Sequence, residues 1–93
     1  MTDAAPGNPR RSAIREIYAT VGAPGWASPN LDGLADVLRD LSWLPVGPVM
    51  LRWQPPSELP AADRDEIAEV LRRVVAETAG TARPVSVSGL SAG

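Results

Sequence analysis

Ninety-three residues with 44% hydrophobic side chains suffice for one domain with a modest core and exclude a second fold. The chain has no Cys, no His and no Lys, which removes disulfides, thiol and histidine catalysis, Schiff-base lysines and the commonest transition-metal ligands. Eleven acids against nine Arg give a net charge of -2, the wrong balance for a phosphate-dominated nucleic-acid binder.

Residues 1–10 open with MTDAAPGNP, small, polar and Pro-punctuated, which predicts a flexible N-terminal tail ahead of a domain over residues 11–93. They hold no apolar signal-peptide core, and no apolar run in the chain reaches bilayer length. A cytoplasmic protein without membrane contact is therefore expected. Ser12 is a plausible cap for a short amphipathic helix in which Ile14, Ile17, Tyr18 and Val21 recur at i, i+3, i+4, i+7, with Gly22 as its stop. The loop APGWASPN carries Trp26 and ends in Asn30, which is suited to cap a second helix. There Leu31, Leu34, Ala35, Leu38 and Leu41 fall in one arc at about 100° per residue.

Pro45 to Pro48 break that helix, and the apolar run from Val49 to Trp53 has the length of a buried, parallel strand with Trp53 in the core. After QPPSELPAA, Asp63 and Glu66 take the D-x-x-E spacing of a capping box. Ile67, Val70, Leu71, Val74 and Val75 then keep helical spacing as far as Gly80. Val85 and Val87 alternate with Ser86 and Ser88, as in a strand with one wetter face. Strand, helix, strand at the end of the chain predicts a right-handed βαβ unit, so the fold class is α/β, with a short parallel sheet packed by about three helices.

The second helix also carries Asp32, Asp36 and Asp40, four residues apart and opposite the Leu arc. Like charges at i, i+4 cost roughly 0.2–0.5 kcal/mol per pair, and only Asp32 lies close enough to the helix N-terminus to be favoured by its dipole. Stability therefore does not account for Asp36 and Asp40. Two readings stand: a solvated face eased by Arg39, or a recognition surface for a cationic partner. Trp26 and Trp43 flank the helix and suit either the core or an interface. A metal site needs more convergent oxygens than this spacing gives, and a paired-carboxylate hydrolase needs a cleft, so neither metal, cofactor nor small-molecule substrate is expected.

From Pro24 to Leu38 the sequence PGWASPNLDGLADVL resembles the barstar family, intracellular inhibitors of secreted bacterial ribonucleases, whose hallmark is P-x-aromatic, then NLDAL with an Asp two residues on. GPVMLRW and the last helix and strand follow in the family's order, so the likeness runs over roughly residues 11–88. It implies a small α/β domain that presents its loop and second helix to the basic active site of a guanyl-specific microbial ribonuclease, in a 1:1 complex. On that resemblance Asp36 occupies the phosphate site, Asp32 is its electrostatic partner, Trp26 is the aromatic loop contact and Asn30 starts the helix. Leu31, Ala35, Arg39, Asp40 and Trp43 complete the expected partner surface. Three features depart from the pattern: Ala35 replaces an aromatic residue, the acid expected on the last long helix is replaced near Arg72 or Arg73, and residues 1–10 contain no apolar strand. An immunity or regulatory protein of the same fold, with a partner other than a ribonuclease, is the alternative, and no catalytic residue is assigned.

Overall fold

The computed structural model describes residues 9–90. Helix α1 spans Pro9–Val21, α2 Leu31–Asp40 and α3 Ala61–Thr78, with strands β1 at Val49–Arg52 and β2 at Val85–Ser88. The two strands pair in parallel, Val49 opposite Val85 and Leu51 opposite Val87, and α3 makes the crossover between them. This is the α/β architecture expected from the sequence. The expected tail lies outside the described residues as far as residue 8, whereas Pro9 and Arg10 belong to α1. Helix α1 therefore begins before Ser12. Proline suits a first helical position because its φ is preset and no N–H is needed there. Arg10 also ties this end to α3, donating from Nη1 to Glu66 Oε1 at 2.8 Å with Asp63 3.9 Å away.

The start of α3 is a second difference. Asp63 and Glu66 do not form a capping box, because α3 starts at Ala61 with Pro60 as its N-cap and no side-chain cap. Asp63 instead sits in the first turn, where the helix dipole favours a carboxylate. Helix α1 ends as Gly22 allows: its φ is +67°, the Ala23 N–H donates to Tyr18 O at 2.9 Å and the Gly22 N–H to Ala19 O at 3.4 Å, the paired bonds of a Schellman motif.

The core runs through all five elements. Ile14 of α1, Leu34, Val37 and Leu38 of α2, and Ile67, Leu71 and Val74 of α3 are essentially buried, and Leu51 and Val85 join them from the sheet. Val37 extends the Leu arc, and Val75 lies only half-buried at its edge. Leu41 caps α2 in the left-handed region at φ 46°, a conformation costing a non-glycine residue roughly 1–2 kcal/mol. Its side chain is fully buried, which offsets that cost, since enclosing a Leu contributes about 1.5–3 kcal/mol.

Strand β1 is not the two-sided buried strand that its apolar run predicts. Leu51 is enclosed and Trp53 just beyond it is 8% exposed, whereas Met50 is 72% exposed and Arg52 faces solvent. Ser86 and Ser88 are exposed beside them on β2, so one face of this parallel sheet packs on the helices and the other meets water. At the sheet's end Gly89 has φ +90°, and a Cβ there would stand 2.4 Å from Trp53 O.

Leu38→Ala is expected to lower folding stability by about 2–5 kcal/mol, the range for truncating a buried Leu. The urea midpoint should fall with the denaturant slope unchanged. A shift of a few tenths of a kcal/mol would contradict the central position given to α2.

Candidate functional site

The N-terminus of α2 is set by three side-chain requirements. Asn30 is extended (φ -134°, ψ 174°), and its Oδ1 accepts from the Gly33 N–H at 2.7 Å, as the sequence predicts for the cap. The preceding loop folds back so that Ser28 O accepts both the Asn30 N–H, at 2.9 Å, and the Tyr18 hydroxyl of α1. This carbonyl lies so close to the first turn of α2 that a Cβ on Gly33 would sit 2.2 Å from it. Glycine at this helical position is therefore a condition of loop closure despite its poor helix propensity.

Tyr18 is a site residue that sequence patterning assigned only to the core. Burial and, to a lesser degree, the nearby Asp36 carboxylate together raise its hydroxyl pKa from 10.0 to about 12. A neutral phenol under Asp36 can donate to Ser28 O and thereby brace the loop against the helix.

Along α2 the three carboxylates are exposed and the apolar arc is buried, as predicted, except at the half-buried Leu31. The Asp36 side chain is 69% exposed. Arg39 lies 3.8 Å from Asp36 Oδ1, while its Nε–H donates to Glu77 Oε1 on α3 at 2.8 Å, so its direct hydrogen bond crosses to the other helix.

Between the two helices runs a groove of about 680 Å³. Leu31, Asp32, Ala35, Asp36 and Arg39 line it from α2. Ala35 is buried and lines it from below. From α3 come Asp65, Glu66, Glu69, Val70 and Arg73. The walls carry five carboxylates against two guanidinium groups, a strongly acidic concavity in which low-dielectric walls focus the field.

Sequence reasoning gave Glu66 a capping role and passed over Asp65 and Glu69, because the α3 acids become neighbours of Asp32 and Asp36 only when α3 docks on α2. Their spacing, Asp65 and Glu69 at i, i+4, was the available signal. Of the two candidate Arg departures, Arg73 lines the groove. Among the described residues no group of three or more acids is arranged to hold a metal ion, and no helix is long and apolar enough to cross a membrane.

Trp26, Asn30, Asp40 and Trp43 are not part of the groove lining. Asn30 acts through the cap, and Asp40 is exposed at the end of α2. Trp43 is half-buried against the core and its Nε1–H donates to Val21 O at 2.9 Å, satisfying a terminal carbonyl of α1. Trp26 is 63% exposed and packs edge-on against Trp43, ring centroids 6.5 Å apart. The core reading thus holds in part for Trp43, and Trp26 is a surface aromatic supported from behind.

Compared with known proteins, the chain matches one family model, described as Barstar (barnase inhibitor), over residues 8–88. No curated protein and no solved structure gives a significant match.

Tyr18 makes the alkaline limb of stability specific. Its raised pKa means that the folded state holds the phenol proton more tightly than the unfolded chain, so this contribution is intact below about pH 10 and is lost as the pH rises through about 12. With no Lys and no Cys in the sequence and a single Tyr, no other side chain titrates in that window. Tyr18→Phe should abolish the decline in urea midpoint across it, at a cost of about 0.5–1.5 kcal/mol at neutral pH for the lost hydrogen bond. An unchanged decline in the variant would contradict the assignment.

Proposed function

The chain belongs to the barstar family, whose model covers residues 8–88, and from that premise we propose that it is a proteinaceous ribonuclease inhibitor without enzymatic activity of its own. In this reading the acidic face of α2 and the adjoining loop occupy the basic active site of a small secreted microbial ribonuclease, in a 1:1 complex formed in the cytoplasm. One observation carries it: Asp36 stands exposed at the rim of an acidic groove, on a helix whose opposite face is locked into the core. A ribonuclease site must hold a phosphodiester, so it presents Arg, Lys or His⁺ toward its substrate. A carboxylate held on a rigid helix can accept charge-assisted hydrogen bonds from those groups.

The geometry divides the work between two kinds of contact. Asp32, Asp36 and the α3 acids provide the field that draws a basic surface in and orients it. Trp26, lying on Trp43, offers a flat apolar area outside the groove that costs little side-chain entropy to bury. Asn30, Gly33 and Tyr18 hold the loop that bears Trp26 at a fixed position relative to α2, so they act by pre-organisation. Leu31 lies half-buried where loop and groove meet.

A second reading, a barstar-like immunity or regulatory protein with a different partner, draws on Ala35 and Arg73. A small buried side chain and a cation stand where the family pattern places an aromatic residue and an acid. Titration against a panel of guanyl-specific microbial ribonucleases separates the two. Stoichiometric loss of activity with at least one member supports the first, and full activity under a molar excess across the panel overturns it.

Asp36→Ala should then disable inhibition and leave the fold intact. Truncating one member of a desolvated charge pair costs about 2–5 kcal/mol of affinity, at least roughly thirtyfold. Removing an exposed carboxylate from an i, i+4 series should leave thermal stability unchanged or slightly higher. Equal inhibition by parent and variant at matched stability would return the stripe to a solvated face. Raising salt should slow association more than it speeds dissociation, and stopped-flow rates indifferent to ionic strength would contradict electrostatic steering.

A further inference from the structure

Arg39 stands where it would neutralise the very carboxylate on which the inhibitory reading depends. It follows Asp36 by three residues on the same helix, a spacing at which Arg and Asp side chains meet. Its guanidinium nevertheless stops 3.8 Å short of Asp36 Oδ1, beyond hydrogen-bonding distance, while its Nε–H donates to Glu77 Oε1 at 2.8 Å. Because the guanidinium is planar and rigid, a bond at Nε fixes both its plane and the direction of its outer nitrogens.

Glu77 is well placed to impose this. It has Arg73 one turn earlier on its own helix, yet its ion pair crosses to Arg39 on α2. The backbone beneath it is anchored: Thr78 is buried, its hydroxyl donates to Val74 O at 2.8 Å and accepts the Val85 N–H at 2.9 Å, so the end of α3 is tied to the start of β2. On the other side Leu38, next to Arg39, is fully enclosed. Two carboxylates at set positions thus bracket one guanidinium, and the one on α3 holds it.

We propose that Glu77 is a positioning residue that keeps the Arg39 guanidinium from closing onto Asp36 and so leaves the Asp36 carboxylate open to an incoming cation, an inference that rests on Asp36 being the contact group. A partner arriving with Arg or Lys then meets a carboxylate that is only loosely paired with Arg39 and need not first break a direct hydrogen bond to it. In the absence of Glu77, the i, i+3 pair closes and Asp36 is partly masked.

The decisive experiment uses the free protein with a tetra-arginine peptide as the cationic probe, so it does not depend on any ribonuclease. The side-chain carboxylate ¹³C resonance of Asp36 is followed in the parent, E77Q, R39A and the double variant. In E77Q that resonance should move before any peptide is added, and it should return toward its R39A position in the double variant. E77Q should lose about twofold more peptide affinity in the parent background than in the R39A background, the fold-change matching an exposed i, i+3 ion pair. Equal losses in both backgrounds would mean that Glu77 acts only through its own charge, and would overturn the proposal. So would an unmoved Asp36 resonance in E77Q. A parent protein that inhibits no ribonuclease, with the cycle as expected, removes the inhibitory reading and supports the role of Glu77.

Discussion

A sheet of two four-residue strands, one face open to water, encloses too little apolar surface to hold a domain together, so the packing of α2 along α3 is the contact on which the rest depends. Leu34, Val37 and Leu38 on one side and Ile67, Leu71 and Val74 on the other are among the most deeply buried side chains of the chain. Helix α1 closes this seam from one end through Ile14 and Ile17, and the Arg10 contacts to Glu66 and Asp63 fix its approach to α3. Strands β1 and β2 are held in register at the ends of the helix that joins them. Deleting volume at the seam loosens every element at once, which is why its side chains tolerate truncation least.

The same seam creates the acidic groove. Each helix alone carries a modest set of exposed carboxylates, and docking them apolar face to apolar face brings Asp32 and Asp36 alongside Asp65, Glu66 and Glu69. Such crowding works against folding, since like charges repel across the groove as well as along each helix. The fold answers part of it with cross-helix pairs, Arg39 with Glu77 and Arg10 with Glu66, and leaves the rest facing solvent. Docking thus leaves five carboxylates around the buried Ala35 and Val70.

Much of this could be read from the residues, because the signals were local. The i, i+3, i+4 spacing of α1 and α3, the Asn30 cap, the Gly22 stop and the alternation of β2 depend on a few neighbouring positions, and each places its side chains as expected. What stayed hidden depends on contacts distant in sequence. The D-x-x-E spacing of Asp63 and Glu66 caps nothing because α3 already begins at Ala61 behind Pro60, and Glu66 instead meets Arg10, more than fifty residues away. Met50 lies outside because α3 packs on the other face of the sheet, a choice that a four-residue apolar run cannot encode. Leu41 takes a backbone conformation normally given to glycine because its side chain fills the core. Within the site, Asp36 and its stripe were legible from helical projection, whereas the bracing role of Tyr18 and the α3 wall of the groove needed the packed structure.

The two indoles at the loop have a photophysical consequence. Trp26 and Trp43 stand edge-on with centroids 6.5 Å apart, one largely in water and the other half-enclosed with its N–H engaged by Val21 O. Chromophores at that separation couple excitonically and exchange excitation energy far faster than they emit. The pair therefore behaves as one optical unit whose near-ultraviolet circular dichroism and emission colour follow the loop, while Trp53, sealed in the core, supplies a separate signal from the sheet. A single emission spectrum thus carries two clocks, one for local opening of the loop and one for loss of the whole fold.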